Sequence, residues 1–188
     1  MKKVMVEVSA RHVHVSEKDM ETLFGADYQL HAKKDLSQPG QYASEERVTL
    51  IGPKKSIENV SILGPTRAAT QVEISMTDAR SLGLNPPVRE SGDIEGSSPI
   101  KLKGPAGEVM LNEGCIIAKR HVHLDPDTAG KYGITNGQIV KLSCGANGRN
   151  LVLDDVVARV SDKFAAAVHL DTDEANAAGC PNEGILIP

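Results

Sequence analysis

The sequence has no tryptophan and little aromatic surface of any kind: two phenylalanines and three tyrosines in 188 residues, against six histidines. Proteins that hold single-stranded nucleic acid stack bases on aromatic side chains, so this scarcity argues against that class. No basic run stands out, and 21 Lys+Arg against 25 Asp+Glu give a net charge of -4, so a DNA-binding role is not expected. Cysteine is sparse as well. Cys115, Cys144 and Cys180 are odd in number and form no C-x-x-C pair, a pattern of reduced thiols rather than a disulfide framework. No stretch approaches the ~20 apolar residues of a membrane span. The opening V-M-V is broken at Glu7 before a signal-peptide core can form. Phosphate-binding and dinucleotide glycine motifs are absent, as is G-x-S-x-G. The expectation is a cytoplasmic protein with no nucleic-acid and no membrane partner. A chain of this size buries roughly 70% of its unfolded surface and needs no disulfide staples.

What is present is short apolar alternation. It runs through 4–8, 46–51, 57–63, 70–75, 99–103, 107–112, 115–124, 138–143, 149–153, 156–160 and 166–170. Gly-Pro and Asn-Gly dipeptides separate many of these runs and read as turns. Many short strands at close spacing predict a mainly β protein built as compact barrels or sandwiches. Three short helices are expected. One is capped by Ser16 and stopped by Gly25, one starts at Asp125-Pro126 and is stopped by Gly133, and one covers D-E-A-N-A-A before Gly179. The polar segment 33–44 reads as a long functional loop.

One internal echo carries chemistry. S-A-R-H-V-H-V-S at 9–16 returns as A-K-R-H-V-H-L-D at 118–125, each time before a short helix. On a strand, residues two apart share a face, about 6.6 Å apart. His12 and His14 therefore project together, as do His121 and His123, while Val13 and Val122 face the core. Two imidazoles at that reach suit one metal ion, and a zinc site requires a third ligand. In A-V-H-L-D, His169 lies on the face opposite Val168 and Leu170 and suits that role; Asp171 shares its face, as an orienting partner or a solvated residue. In T-Q-V-E-I-S, Gln71, Glu73 and Ser75 share one face; on its own Glu73 reads first as a solvated strand residue. Arg67 follows a turn and offers a planar fork suited to phosphate, though an exposed charge reads the same way. Arg11 and Arg120 alternate to the face opposite the histidines and read as salt bridges or barrel-end caps. His31 reads as structural or surface.

These motifs together resemble a known family. R-H-V-H-V (11–15), K-D-L-S-Q-P-G-Q (34–41), G-P-T-R-A-A-T-Q-V-E-I-S (64–75), D-A-R-S-L-G (78–83), I-I-A-K-R-H-V-H-L (116–124) and H-L-D-T-D-E-A-N-A-A-G (169–179) are similar to the phosphate propanoyltransferase, or PduL-type phosphotransacylase, family. The resemblance spans nearly the whole chain in the expected order. It implies two small β-barrels capped by short helices with the chain crossing between them. One barrel combines 1–10 with about 119–188, and the other takes 11–118 with the 33–44 loop. It also implies two zinc ions, one on His12, His14 and Glu73, the other on His121, His123 and His169, with Arg67 as the phosphate-binding catalytic residue. Coenzyme A enters as a substrate, and the partners implied are acyl-CoA, phosphate, acyl phosphate and a second copy in a homodimer. Members housed in a bacterial microcompartment carry an N-terminal extension before the first strand. Here the first strand starts near Met1, so a cytoplasmic location is expected over the microcompartment lumen and shell association.

The implied reaction is direct attack of phosphate on a propanoyl- or acetyl-CoA thioester. It needs two anionic reactants held together and a stabilised oxyanion, not a serine or cysteine nucleophile. A zinc-dependent hydrolase using water and a non-catalytic metal-binding module are the rival classes. A cupin-type oxygenase fits the later His and Glu spacing poorly.

Overall fold

The computed structural model describes residues 2–188 and is mainly β, with four short helices among the described residues. The chain groups into two units. One is Met1–Ala10, Ser37–Pro39 and Lys119–Pro188; the other is Arg11–Leu36 and Gly40–Ala118. Residues 37–39 thus belong with the first unit, although the polar segment around them was expected wholly within the second.

In the second unit, β2 (His12–His14), β4 (Tyr42–Ile51), β5 (Ser56–Gly64), β6 (Gln71–Glu73), β8 (Ser98–Lys103) and β9 (Glu108–Ala118) close on themselves in the order β2-β5-β4-β8-β9-β6. The pairings around this ring run parallel, antiparallel, antiparallel, antiparallel, parallel, antiparallel. In the first unit, β1 (Lys3–Ser9), β10 (His121–Leu124), β11 (Ile139–Cys144), β12 (Leu151–Val160), β13 (Ala167–Asp171) and β14 (Glu183–Ile187) form a closed barrel in the order β10-β12-β11-β14-β1-β13. Its pairings follow the same sequence of directions. The R-H-V-H echo is therefore the visible part of a duplicated barrel. Each barrel is closed by the strand that leads into the other's histidine strand: β1 runs on to β2, and β9 runs on to β10. Two short edge strands, β3 (Ala32–Asp35) and β7 (Val88–Arg89), add to β4 and β9.

Alternation places the cores. Val13, Leu50, Ile62, Val72 and Leu102 fill the second unit, and Val122, Leu142, Val156, Val168 and Leu170 the first. Fully burying such side chains contributes about 1.5–3 kcal/mol each. The helices are α1 (Glu17–Phe24), α2 (Met76–Leu82), α3 (Pro126–Tyr132) and α4 (Thr172–Ala177). Too short to persist alone, they are fixed at their ends. Their N-caps are Ser16, Ser75, Asp125 and Asp171, each accepting from the backbone N–H three residues on. At the other end, the carbonyls of Leu23 and Leu82 accept from Ala106 and Lys54 in the barrel hairpins, meeting groups a helix terminus leaves unsatisfied. The approach is close: a Cβ on Gly104 or Gly52 would collide with those helix ends.

Three sequence expectations are corrected. Helix α2 was not anticipated, although Ser75, Asp78 and Gly83 form a capping box and a left-handed stop around it. The segment 33–44 is not one loop: β3 and β4 enter it from either side, leaving only 36–41 irregular. All four residues of β3 are exposed, so it has no apolar alternation to betray it. Asp171 is the N-cap of α4, with its side chain committed to the Glu174 N–H.

Candidate metal centres

Strand register builds both sites in the same way. In the second unit His12 lies directly across from Glu73 on antiparallel β6. In the first unit His121 lies across from His169 on antiparallel β13. The second histidine of each R-H-V-H then lies two residues further along the same face. Thus His12, His14 and Glu73 converge in one barrel, and His121, His123 and His169 in the other. The donor atoms of each trio lie within 4.8 Å of one another.

The geometry of the first trio suits a shared ion. His12 Nε2 lies 3.1 Å from His14 Nε2 and 3.4 Å from Glu73 Oε2, and His14 Nε2 lies 3.8 Å from Glu73 Oε1. Ligands on a tetrahedral zinc with bonds of about 2.0–2.1 Å are spaced ~3.3 Å apart. All three side chains are buried, at 5%, 4% and 7% exposure. Burial alone would raise the Glu73 carboxyl. The fields of His12 and His14, with hydrogen bonds from His12 and Ser91, outweigh it and hold the group below the usual carboxylate range. Burial, His12 and Arg67 push His14 down to about 3. A neutral imidazole beside a carboxylate is the form in which both bind metal.

The second trio is all imidazole, with ring centroids 4.7 to 5.1 Å apart. His121 Nδ1 lies 2.9 Å from the Lys119 carbonyl, which makes Nδ1 the donor and leaves Nε2 as the lone pair. His169 Nδ1 lies 3.7 Å from the Glu7 carboxylate. His123 stacks on Phe164 at 4.0 Å, and its buried Nδ1 has no hydrogen-bond partner among the described residues. A buried polar atom without a partner is costly, and a cation at the centre of the trio would satisfy this one. Burial, with His121, His169 and Arg159 nearby, pushes His123 down to about 2.

Arg67 belongs to the first trio's surroundings. Its backbone N–H donates to the Val15 carbonyl, and its guanidinium donates to Ser91 Oγ at 3.1 Å. Ser91 in turn donates to Glu73 Oε1 at 2.8 Å, and Gln71 Nε2 donates to the same oxygen at 2.6 Å. The Gly92 N–H fixes Gln71 by donating to its Oε1. Sequence reasoning missed Ser91 entirely, since it sits in an irregular segment with no motif. Gln71 was placed on Glu73's face without a role. Arg11 and Arg120 form salt bridges, to Asp78 and Glu174. His31 pairs at the surface with Glu46 at 2.7 Å. An open depression of the second unit, lined by Phe24, Tyr28, His31, Glu46 and Arg47, contains no residue of either trio.

The family model for phosphate propanoyltransferase matches residues 5–181. A phosphate propanoyltransferase of Thermotoga maritima is 54% identical over 175 residues, covering 93% of this chain and 83% of that protein. One from Priestia megaterium is 54% identical over 174 residues, covering 93% and 80%. One from Clostridioides difficile is 52% identical over 176 residues, covering 94% and 84%. The chain belongs to the phosphate propanoyltransferase family, and is a phosphate acyltransferase by that membership.

Proposed function

We propose that the protein reversibly transfers a short acyl group, propanoyl or acetyl, between coenzyme A and inorganic phosphate, with zinc held by each of the two trios. The observation that carries this reading is the pair of donor sets at equivalent positions of a duplicated barrel, one of them fully buried and linked to an arginine through Ser91. The donor atoms fit zinc, which when bound would act as a Lewis acid toward oxygen and as a ligand for a thiolate.

The chain's own residues supply orientation. Arg67 presents a guanidinium fork to phosphate, and Ser91 fixes that fork relative to Glu73. A phosphate oxygen attacks the thioester carbon, the C–S bond breaks, and the thiolate takes up the proton of the incoming hydrogen phosphate. No protein nucleophile is required. Cys115 and Cys144 are buried in the barrel cores, and burial raises both thiols, Cys115 to about 12, so neither offers a thiolate.

The test is thiol release from propanoyl-CoA and acetyl-CoA, with and without phosphate, with and without exhaustive chelation, and in Arg67→Ala. Release should require phosphate, disappear with the metal and return with added zinc. Removing the charge-assisted bonds of Arg67, worth about 1.5–3 kcal/mol, should cut kcat/KM by roughly ten- to a hundredfold. Release indifferent to phosphate would identify a thioester hydrolase. Full activity without zinc, or an acyl group trapped on a cysteine, would end the proposal. The protein is proposed to act in the cytoplasm or a microcompartment lumen and to dimerise.

A further inference from the structure

The residue before each histidine pair turns away from the donors, yet in both barrels it reaches the same structural point. Arg11 Nε donates to Asp78 Oδ2 at 2.8 Å, and Arg120 Nε to Glu174 Oε1 at 2.6 Å. Asp78 and Glu174 are the capping-box acids of α2 and α4, and each faces back toward an N-cap backbone N–H, Ser75 in one barrel and Asp171 in the other. Those N-caps lie two residues past Glu73 and His169. Cross-strand register completes the circuit, with His12 opposite Glu73 and His121 opposite His169. Each barrel thus contains a closed ring: arginine, capping acid, N-cap, third ligand, first ligand, and back to the arginine.

We propose that Arg11 and Arg120 are positioning residues, each closing a ring that holds the first histidine of its trio against the third ligand of that trio. The case rests on recurrence. The same link appears twice, in two barrels with different capping acids and different third ligands. It also rests on mechanics. Strand β6 has three residues, and α2 and α4 have seven and six, so none has much internal hold on its register. A one-residue slip would turn the third ligand to the opposite face. The capping box alone fixes the helix to its own cap. The arginine adds a side-chain tie from that cap's acid to the neighbouring strand, the one that carries the two histidines. Asp78 is buried, at 5% exposure, so its charge needs this partner.

The proposal deepens the zinc reading above and rests on it. Its test is zinc release from the purified full-length protein into an excess of a colorimetric chelator, read in equivalents per chain beside a thermal melt. Arg11→Ala should weaken one equivalent by roughly 10–100-fold, as loss of a ligand's supporting partner does, and leave the other untouched. Arg120→Ala should do the same, and the double variant should weaken both, which shows that the two singles act on different equivalents. Arg11→Lys and Arg120→Lys, which keep the charge, should recover part of the loss. If an alanine variant fails to fold, Asp78→Asn and Glu174→Gln break the same links with little change of shape and should give the same selective weakening. Two equivalents in the parent protein and unchanged release in every variant would overturn the proposal alone. So would variants that loosen both equivalents together with the melt, the mark of a general structural role. A parent protein that binds no zinc would overturn this proposal and the zinc reading with it.

Discussion

A carboxylate at 7% exposure between two imidazoles is expensive unless every lone pair has a use. Around Glu73, Ser91 and Gln71 occupy Oε1 while Oε2 faces His12. Ser91 also receives Arg67, so one hydroxyl couples the proposed phosphate-binding group to a proposed ligand. Ser91→Ala should therefore weaken two functions together. KM for phosphate should rise several-fold and zinc affinity at this trio should fall roughly tenfold, measured by initial rates against phosphate and by chelator competition. The R-H-V-H repeat made four of the six candidate ligands legible, because two equally spaced histidine pairs are rare by chance. Glu73 stood out only through family resemblance, since one acid on a half-buried strand has many bland explanations. Ser91 had no signal, because only the tertiary fold brings residue 91 to residue 73. His31 shows the reverse case, a histidine whose purpose is a surface pair. Burial would raise Glu46, but hydrogen bonds from the His31 side chain and from backbone amides leave its carboxyl below the ordinary value. A carboxyl depressed on folding stabilises above its unfolded pKa of about 4.3 and loses that contribution as pH falls through the folded value. Urea midpoints from pH 7 down to 3 should thus fall less steeply in Glu46→Gln than in the parent, and parallel curves would refute the assignment.

Elements here are short, and what holds them is mostly at their ends. Each helix begins two residues after a candidate ligand, at Ser16, Ser75, Asp125 and Asp171, so the caps that stop the strands also set the donors' height in the barrel. Three of the four helices were legible from cap and stop residues. Helix α2 carries the same signals, but its apolar residues follow directly on a strand whose alternation hides the change of period. The segment 36–41 makes a similar point about loops. Gln38, at 3% exposure, donates to the Ala165 carbonyl at 3.0 Å and accepts from the Ala165 N–H at 3.2 Å, imitating a strand pairing with one side chain. Ser37 donates to Glu7, the carboxylate facing His169, at 2.5 Å. Gln38→Ala strips both partners from Ala165 and should cost about 1–3 kcal/mol, read from denaturant unfolding. Because Ala165 adjoins the Phe164 ring stacked on His123, the same variant should speed hydrogen exchange at 163–166. Unchanged exchange there would mean that the segment merely rests on the barrel surface.

At the scale of the whole chain, duplication with exchanged closing strands has a consequence for folding. The stretch 11–118 contains every strand of one barrel, including its closing strand β9, together with His12, His14, Glu73 and Arg67. The stretch 119–188 lacks its closing strand, because β1 is supplied by residues 3–9 at the other end of the chain. Without β1, the backbone groups of β13 and β14 that face it have no partners, and open edges of that kind are unstable or aggregation-prone. Val4 and Val6 would also be missing from the core. A fragment of 11–118 should accordingly fold cooperatively and bind one equivalent of zinc. A fragment of 119–188 should remain unfolded or aggregate until a peptide of residues 1–10 is added in trans. Circular dichroism melts and zinc titrations on the two fragments measure this directly. Independent folding of 119–188 would show that its barrel can close without β1, by direct pairing of β13 with β14, and that the strand exchange is dispensable.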